Sequence, residues 1–143
     1  MTLSLNAAIG SIETQLNTFA EDWYEDGIPT YSTLKKKGGN VVPYIVVSYG
    51  DLVQGRDRAV AGTRGDAHDF PVRFMAVAPT AKMARQLRTR LTDKFTGFSP
   101  DHCGQMMKRG GGGIFTMTDN NDAVVAYVAP VNFRTSLTLF EVA

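Results

Sequence analysis

His68, His102 and Cys103 are the imidazole and thiol side chains of this chain, and with them its candidates for nucleophilic or metal chemistry. A cysteine is activated when a nearby imidazole takes its proton and positioned donors steady the developing oxyanion. His102 and Cys103 are adjacent, and adjacent side chains diverge in most backbone conformations, so His68 is the better base for such a pair. No oxyanion-hole element is recognisable beside either. The three residues match no zinc-ligand spacing, and a single cysteine cannot close a disulfide within the chain. Cys103 is therefore expected to be an ordinary small side chain in a loop.

Other constellations point to contact rather than catalysis. Glu21, Asp22, Glu25 and Asp26 bring carboxylates together beside Trp23 and Tyr24. Acid–base work needs one of them held protonated, and nothing in the surrounding sequence supplies that, so a charged contact surface at a helix end is expected. The glycine run at 110–113 lacks the strand before it, the helix after it and the GK[ST] ending of a phosphate loop, and reads as flexible loop. Arg64, Gly65 and Asp66 spell an adhesion tripeptide that recurs by chance. Lys82, Arg85, Arg88, Arg90 and Lys94 give one helix a basic surface. No helix-turn-helix, zinc-finger or ribonucleoprotein pattern accompanies it, and the sequence pI of about 7.9 is below that of a dedicated nucleic-acid-binding domain. A solvated face, or one that meets an acidic neighbour, is the better reading. No cofactor and no enzymatic activity are expected.

A length of 143 residues suits one domain spanning 1–143, and 43% hydrophobic with 20% charged residues is the composition of a chain that folds. No run reaches the roughly 18 apolar residues of a membrane span. The first residues lack the basic start and apolar core of a signal peptide, so a cytoplasmic setting is expected. The net charge of +1 conceals segregation. Residues 1–26 carry five acids and no Lys or Arg, whereas residues 27–109 carry fourteen bases against six acids. Such segregation suits a subunit whose acidic surface meets a basic surface on an identical neighbour.

The elements that must position these groups follow from periodicity. Leu5, Ala8, Ile9, Ile12, Leu16, Phe19, Ala20 and Trp23 form one helical stripe, with Ser4 or Asn6 as cap and a stop at Gly27 and Pro29. Residues 35–40 read as an exposed, mobile turn and residues 41–49 as a β-branched, aromatic strand. Residues 50–69 have no sustained apolar period and read as a long polar loop. In residues 70–78, Phe70, Val72, Phe74 and Ala76 alternate with Arg73 as a second strand. Thr80 caps a second helix with apolar positions Ala84, Leu87, Leu91 and Phe95, ended by Gly97. A hairpin over 114–129 turns at 119–122, Pro130 interrupts the run, and a last strand covers 132–142. This order predicts an α+β fold: a mostly antiparallel sheet of four to five strands with both helices packed on one face.

In that order of elements the chain resembles the tail terminator proteins of long-tailed, lambda-like bacteriophages. The resemblance rests on the leading amphipathic helix, the strand at 41–47 opened by Pro43 and Tyr44, and the polar loop. It rests also on the strand at 70–77, which runs through Thr80 directly into the second helix. It implies a virion protein assembled in the host cytoplasm: a hexameric ring, without cofactor or metal, at the head-proximal end of the tail. Its partners are the tail-tube protein, whose polymerisation the ring ends, and the head-tail connector, while DNA passes through the hole without sequence-specific contact. Another neck, head-tail joining or tail-completion ring protein is the alternative. The charge pattern then assigns Arg56, Asp57, Arg58, Arg64, Asp69 and Arg73 to contact with tube or neighbour, with Glu21, Asp22, Glu25 and Asp26 as their counterpart.

Overall fold

The computed structural model describes residues 3–27, 34–54, 66–119 and 121–139. The elements in chain order are α1 (Leu3–Leu16), β1 (Asp22–Glu25), β2 (Lys36–Lys37), β3 (Asn40–Val41), β4 (Tyr44–Tyr49), β5 (Val53–Gln54) and β6 (Asp66–Ala78). They continue with α2 (Ala81–Phe95), β7 (Met107–Lys108), β8 (Phe115–Thr118) and β9 (Val124–Leu139). The fold is α+β, and its strands pair antiparallel except where β1 runs parallel to β4. Among the described residues five strands form a continuous sheet in the order β1-β4-β6-β9-β7, with β5 joined to β6 and β8 to β9. A separate hairpin of β2 and β3 turns at Gly38 and Gly39, both at positive φ as a two-residue turn of this hand requires.

The spine is the pairing of β6 with β9, from Asp66 opposite Leu139 to Ala78 opposite Tyr127. Alternation divides their side chains between two layers. Phe70, Val72, Phe74 and Ala76 on β6 and Val131, Phe133 and Leu137 on β9 face both helices in one core with Ala8, Ile12, Leu16, Ala84, Leu87, Leu91 and Phe95. The opposite face is smaller: Tyr44, Val46, Val77, Ala126 and Val128 pack under Leu34 and Val41 of the β2–β3 region. Phe95 is the hub of the helix layer, its ring 4.4 Å from Phe74, 5.8 Å from Phe98 and 6.5 Å from Phe19 between centroids. Emptying such a site typically costs about 3–5 kcal/mol.

The second helix forms as its sequence specifies. The Thr80 hydroxyl accepts the Met83 amide at 3.2 Å, Ala84, Leu87, Leu91 and Phe95 are buried, and Gly97 turns away at φ +79°. The first helix departs from expectation. It begins at Leu3, so Ser4 and Asn6 lie within it rather than capping it, and it ends at Leu16. Its last turn tightens, with the Thr18 amide bonding Gln15 and the Phe19 amide bonding Leu16. Asn17 then accepts the Trp23 indole N–H at 2.8 Å. Phe19 and Trp23 prolong the helical spacing because both turn back to the same helix-layer core, Phe19 from a turn and Trp23 from strand β1.

Three further expectations change. Asp69 sits in β6, not in a loop, because β6 starts at Asp66 and β5 pairs with Asp69 and His68. The turn at 35–40 is the β2–β3 hairpin. Pro130 does not interrupt β9: the amide of Asn132, two residues on, points to Gly110, so the Pro130 nitrogen faces the same way, into the gap between β7 and β8, and the ladder to β6 loses no donor. Pro71 stands in the corresponding gap between β4 and β5, its carbonyl accepting the Gly50 amide at 2.9 Å.

The glycine run is shaped by this gap. A Cβ on Gly111 would collide with the Pro130 carbonyl oxygen and lie 2.8 Å from the Val131 Cα, and Gly110 and Gly112 hold φ of +92° and +80°. Arg109 and Gly110 bond to Asn132, and Arg88 of α2 donates to the Gly112 carbonyl at 3.2 Å. The run is a fitted strip laid on β9, not a free loop.

Candidate functional site

His68 and Cys103, the base and thiol that the sequence offers, stand apart. His68 pairs with Leu137 across β6 and β9, and Cys103 pairs with Leu137 from the other side. Their backbones thus stand two inter-strand steps apart, roughly 10 Å, with the buried Leu137 between them. Burial pushes the Cys103 thiol up to about 11, Asp101 adds to the rise, and a hydrogen bond with Thr135 opposes it. At neutral pH the group is a thiol rather than the nucleophilic thiolate. His102, at φ +63°, offers its carbonyl to the Thr138 amide, a structural role for its backbone. Among the described residues no three His, Cys, Asp or Glu side chains are placed to hold a metal, and no helix is long and apolar enough to cross a membrane.

The acidic residues divide in two. Glu21, in the turn before β1, is held by both terminal nitrogens of Arg90 on α2, with Nη1 donating to Oε1 at 3.1 Å. Burial alone would raise its carboxyl, but the hydrogen bond and charge of Arg90 hold it below the usual carboxylate range. Asp22, on β1, pairs with Lys35 at 2.8 Å, and its carboxylate raises the Lys35 ammonium above the usual range. Glu25 and Asp26 are exposed and have no ion pair among the described residues. They lie at the end of an edge strand rather than of a helix. Asp26, left-handed at φ +55°, donates its amide to the Val47 carbonyl.

Glu13 of α1 completes this corner, a member that sequence spacing did not single out. Partial burial and the nearby Glu25 charge push its carboxyl up. The buried Tyr49 hydroxyl has no hydrogen-bond partner among the described residues. Burial first, then the charges of Glu13, Glu25 and Asp26, push it above the ordinary phenol range. Three carboxylates therefore crowd around one end of β1 and β4.

A basic groove occupies the sheet face away from the helices. Arg73, Arg109 and Arg134 line a concavity of about 430 Å³ with Ser48, Pro71 and Asn132. Arg134 lies 3.7 Å from Asp69, both on this face, while Arg73 and Arg109 have no carboxylate partner among the described residues. Arg73 and Asp69 were legible candidates; Arg109 and Arg134 were not, because they come together only through the pairing of β7 with β9. Met107 and Phe115 stay exposed on the same face at this edge. Arg56, Asp57, Arg58 and Arg64 lie outside the described residues, as do Pro29 and Gly65.

No protein-family model and no curated protein sequence matches this chain.

The two charged groups share a register. Glu25 pairs with Val47, so the following Asp26 stands level with Ser48; Ser48 pairs with Arg73, and Arg73 with Asn132. The Arg109 amide donates to the Asn132 carbonyl at 2.8 Å. Acid and base thus end one row at opposite edges of the sheet, four inter-strand steps or roughly 19 Å apart.

Proposed function

We propose that this chain is a structural subunit that assembles with copies of itself into a ring, caps a phage tail tube and joins it to the head connector. The observation that carries the reading is the opposite charge at two edges of the sheet: the carboxylates of Glu13, Glu25 and Asp26 gather at the end of β1, and the guanidiniums of Arg73, Arg109 and Arg134 gather towards β7. Subunits that join head to tail must present two different, complementary surfaces, and a ring closes when the rotation between neighbours divides a full turn. Opposite potentials at opposite edges favour that arrangement and disfavour a symmetric edge-to-edge pair, in which like edges meet.

The partners come from the resemblance in element order: the leading helix, the strand opened by Pro43 and Tyr44, the polar loop, and the strand running through Thr80 into the second helix. Under this reading six copies form the ring, one face stops tube polymerisation and the other meets the connector, and DNA passes through the hole without base-specific contact. The exposed Met107 and Phe115 add apolar contact area at the basic edge. No bond-making step is part of the role. The raised Cys103 thiol, separated from His68 by Leu137, supports a chain that acts by binding.

The experiment is tube polymerisation with and without the chain, followed by length measurement in negative stain. Shorter tubes of uniform length, each with a disc at one end, are expected. Tubes of unchanged length with bare ends would refute the proposal.

A further inference from the structure

We infer that the groove of Arg73, Arg109 and Arg134 on one subunit receives the acidic turn at Glu25 and Asp26 of the next copy, so that neighbours dock sheet edge to sheet edge. The inference rests on the ring reading and names the surfaces by which the ring closes.

Four observations carry it. The groove, at about 430 Å³, has room for the carboxylates of a turn, and Arg73 and Arg109 have no carboxylate partner among the described residues. A guanidinium offers a planar fork of donors that a carboxylate fills with two hydrogen bonds. On the opposite edge, Glu21 and Asp22 are already neutralised by Arg90 and Lys35, which leaves Glu25 and Asp26 as the acids of residues 21–26 available to a neighbour. Register supplies the geometry. Asp26 and Arg109 end the same row of the sheet, so a copy placed beside the first without sliding along the strands brings its acidic turn level with Arg109. Finally, an approaching guanidinium offsets the repulsion between the Glu13 and Glu25 carboxylates, which favours the docked state over the free one.

The test uses two variants of the full chain, each spoiled on one surface. The first carries Arg73→Glu and Arg109→Glu. The second carries Glu25→Lys and Asp26→Asn, asparagine being chosen because it tolerates the left-handed backbone at this position. All altered side chains are exposed, and thermal melts of each variant check that folding is retained. Assembly is read as particle mass by light scattering over a wide concentration series, and as occupancy of tube ends.

Wild type is expected to assemble, each variant alone to lose assembly, and the equimolar mixture to regain it. In the mixture the native turn of the first variant meets the native groove of the second, and the reversed surfaces meet each other. Only rings with an even number of alternating subunits can then close. Raising salt should weaken wild-type assembly, because partly exposed charge pairs are screened.

If wild type forms rings and both variants form them equally well, the docking surfaces are wrong and the ring reading stands. A mixture that stays dispersed overturns the docking as well. If wild type never assembles, alone or on tubes, the ring reading falls and the docking with it. An oligonucleotide that binds wild type in a salt-dependent way and not the arginine variant, while that variant still assembles, would assign the groove to phosphates instead.

Discussion

Arg90 grips the Glu21 carboxylate with both terminal nitrogens and so ties α2 to the turn that leads into β1. An acid that reads from sequence as contact surface is thereby satisfied within its own subunit. Arg90 is half exposed while Glu21 is largely covered, so solvent screens part of the interaction. Glu21→Gln is expected to cost about 1 kcal/mol of stability at neutral pH. Because the folded-state pKa is lowered, this stability is present above the ordinary carboxylate range and is lost as pH falls through it. Denaturant unfolding of both proteins at several pH values should show the gap closing on acidification, with assembly of the variant unchanged.

The glycine run gives an ordered series. Gly111→Ala forces a Cβ onto the Pro130 carbonyl and is expected to cost about 3 kcal/mol or more, at the upper end for overpacking. Gly112→Ala meets no atom but sits at φ +80°, and should cost about 1 kcal/mol. Gly113→Ala meets no atom at an ordinary φ and should be near neutral. Thermal melts of the three variants check the order; equal effects would mean that the strip is not seated on β9.

Glu13 shows the opposite pH dependence to Glu21. Burial and Glu25 raise its carboxyl, so the folded chain holds that proton more tightly than the unfolded one. Its contribution to stability is therefore full below the unfolded pKa and falls as pH rises through the folded value. Glu13→Gln should melt higher than wild type at pH 7, with the difference vanishing in acid. A lower melting temperature at pH 7 would contradict the crowding of carboxylates at this corner.

Cys103 should react slowly. With its thiol pushed up to about 11, alkylation by iodoacetamide at pH 7.5 is expected to lag well behind that of a free thiol and to accelerate towards pH 11. Fast labelling at neutral pH would indicate an activated thiolate and reopen a catalytic role.

The parts of this fold legible in the sequence are those whose side chains report only on local conformation. The cap at Thr80, the stripe of α2, the alternation around Arg73 and the Asp119 turn, whose carboxylate accepts the Asn121 and Ala123 amides, all follow from short-range rules. Where sequence reading fails, a non-local partner decides. Trp23 continues a helical spacing yet lies in a strand, because β4 offers its edge and the same core accepts the indole from either backbone. Pro130 stays in β9 because the gap between β7 and β8 removes the need for its missing donor. The candidate site was half visible for the same reason: charge segregation exposed the acidic segment, but Arg109 and Arg134 reach Arg73 only through long-range pairing.

Whether this chain caps tube ends is decided by class averages in negative stain of the purified chain incubated with tube subunits. Closed discs with a central hole, seated on tube ends and absent when Arg73 and Arg109 are reversed, are expected. Bare tube ends beside dispersed single subunits, at every protein concentration, would contradict the account.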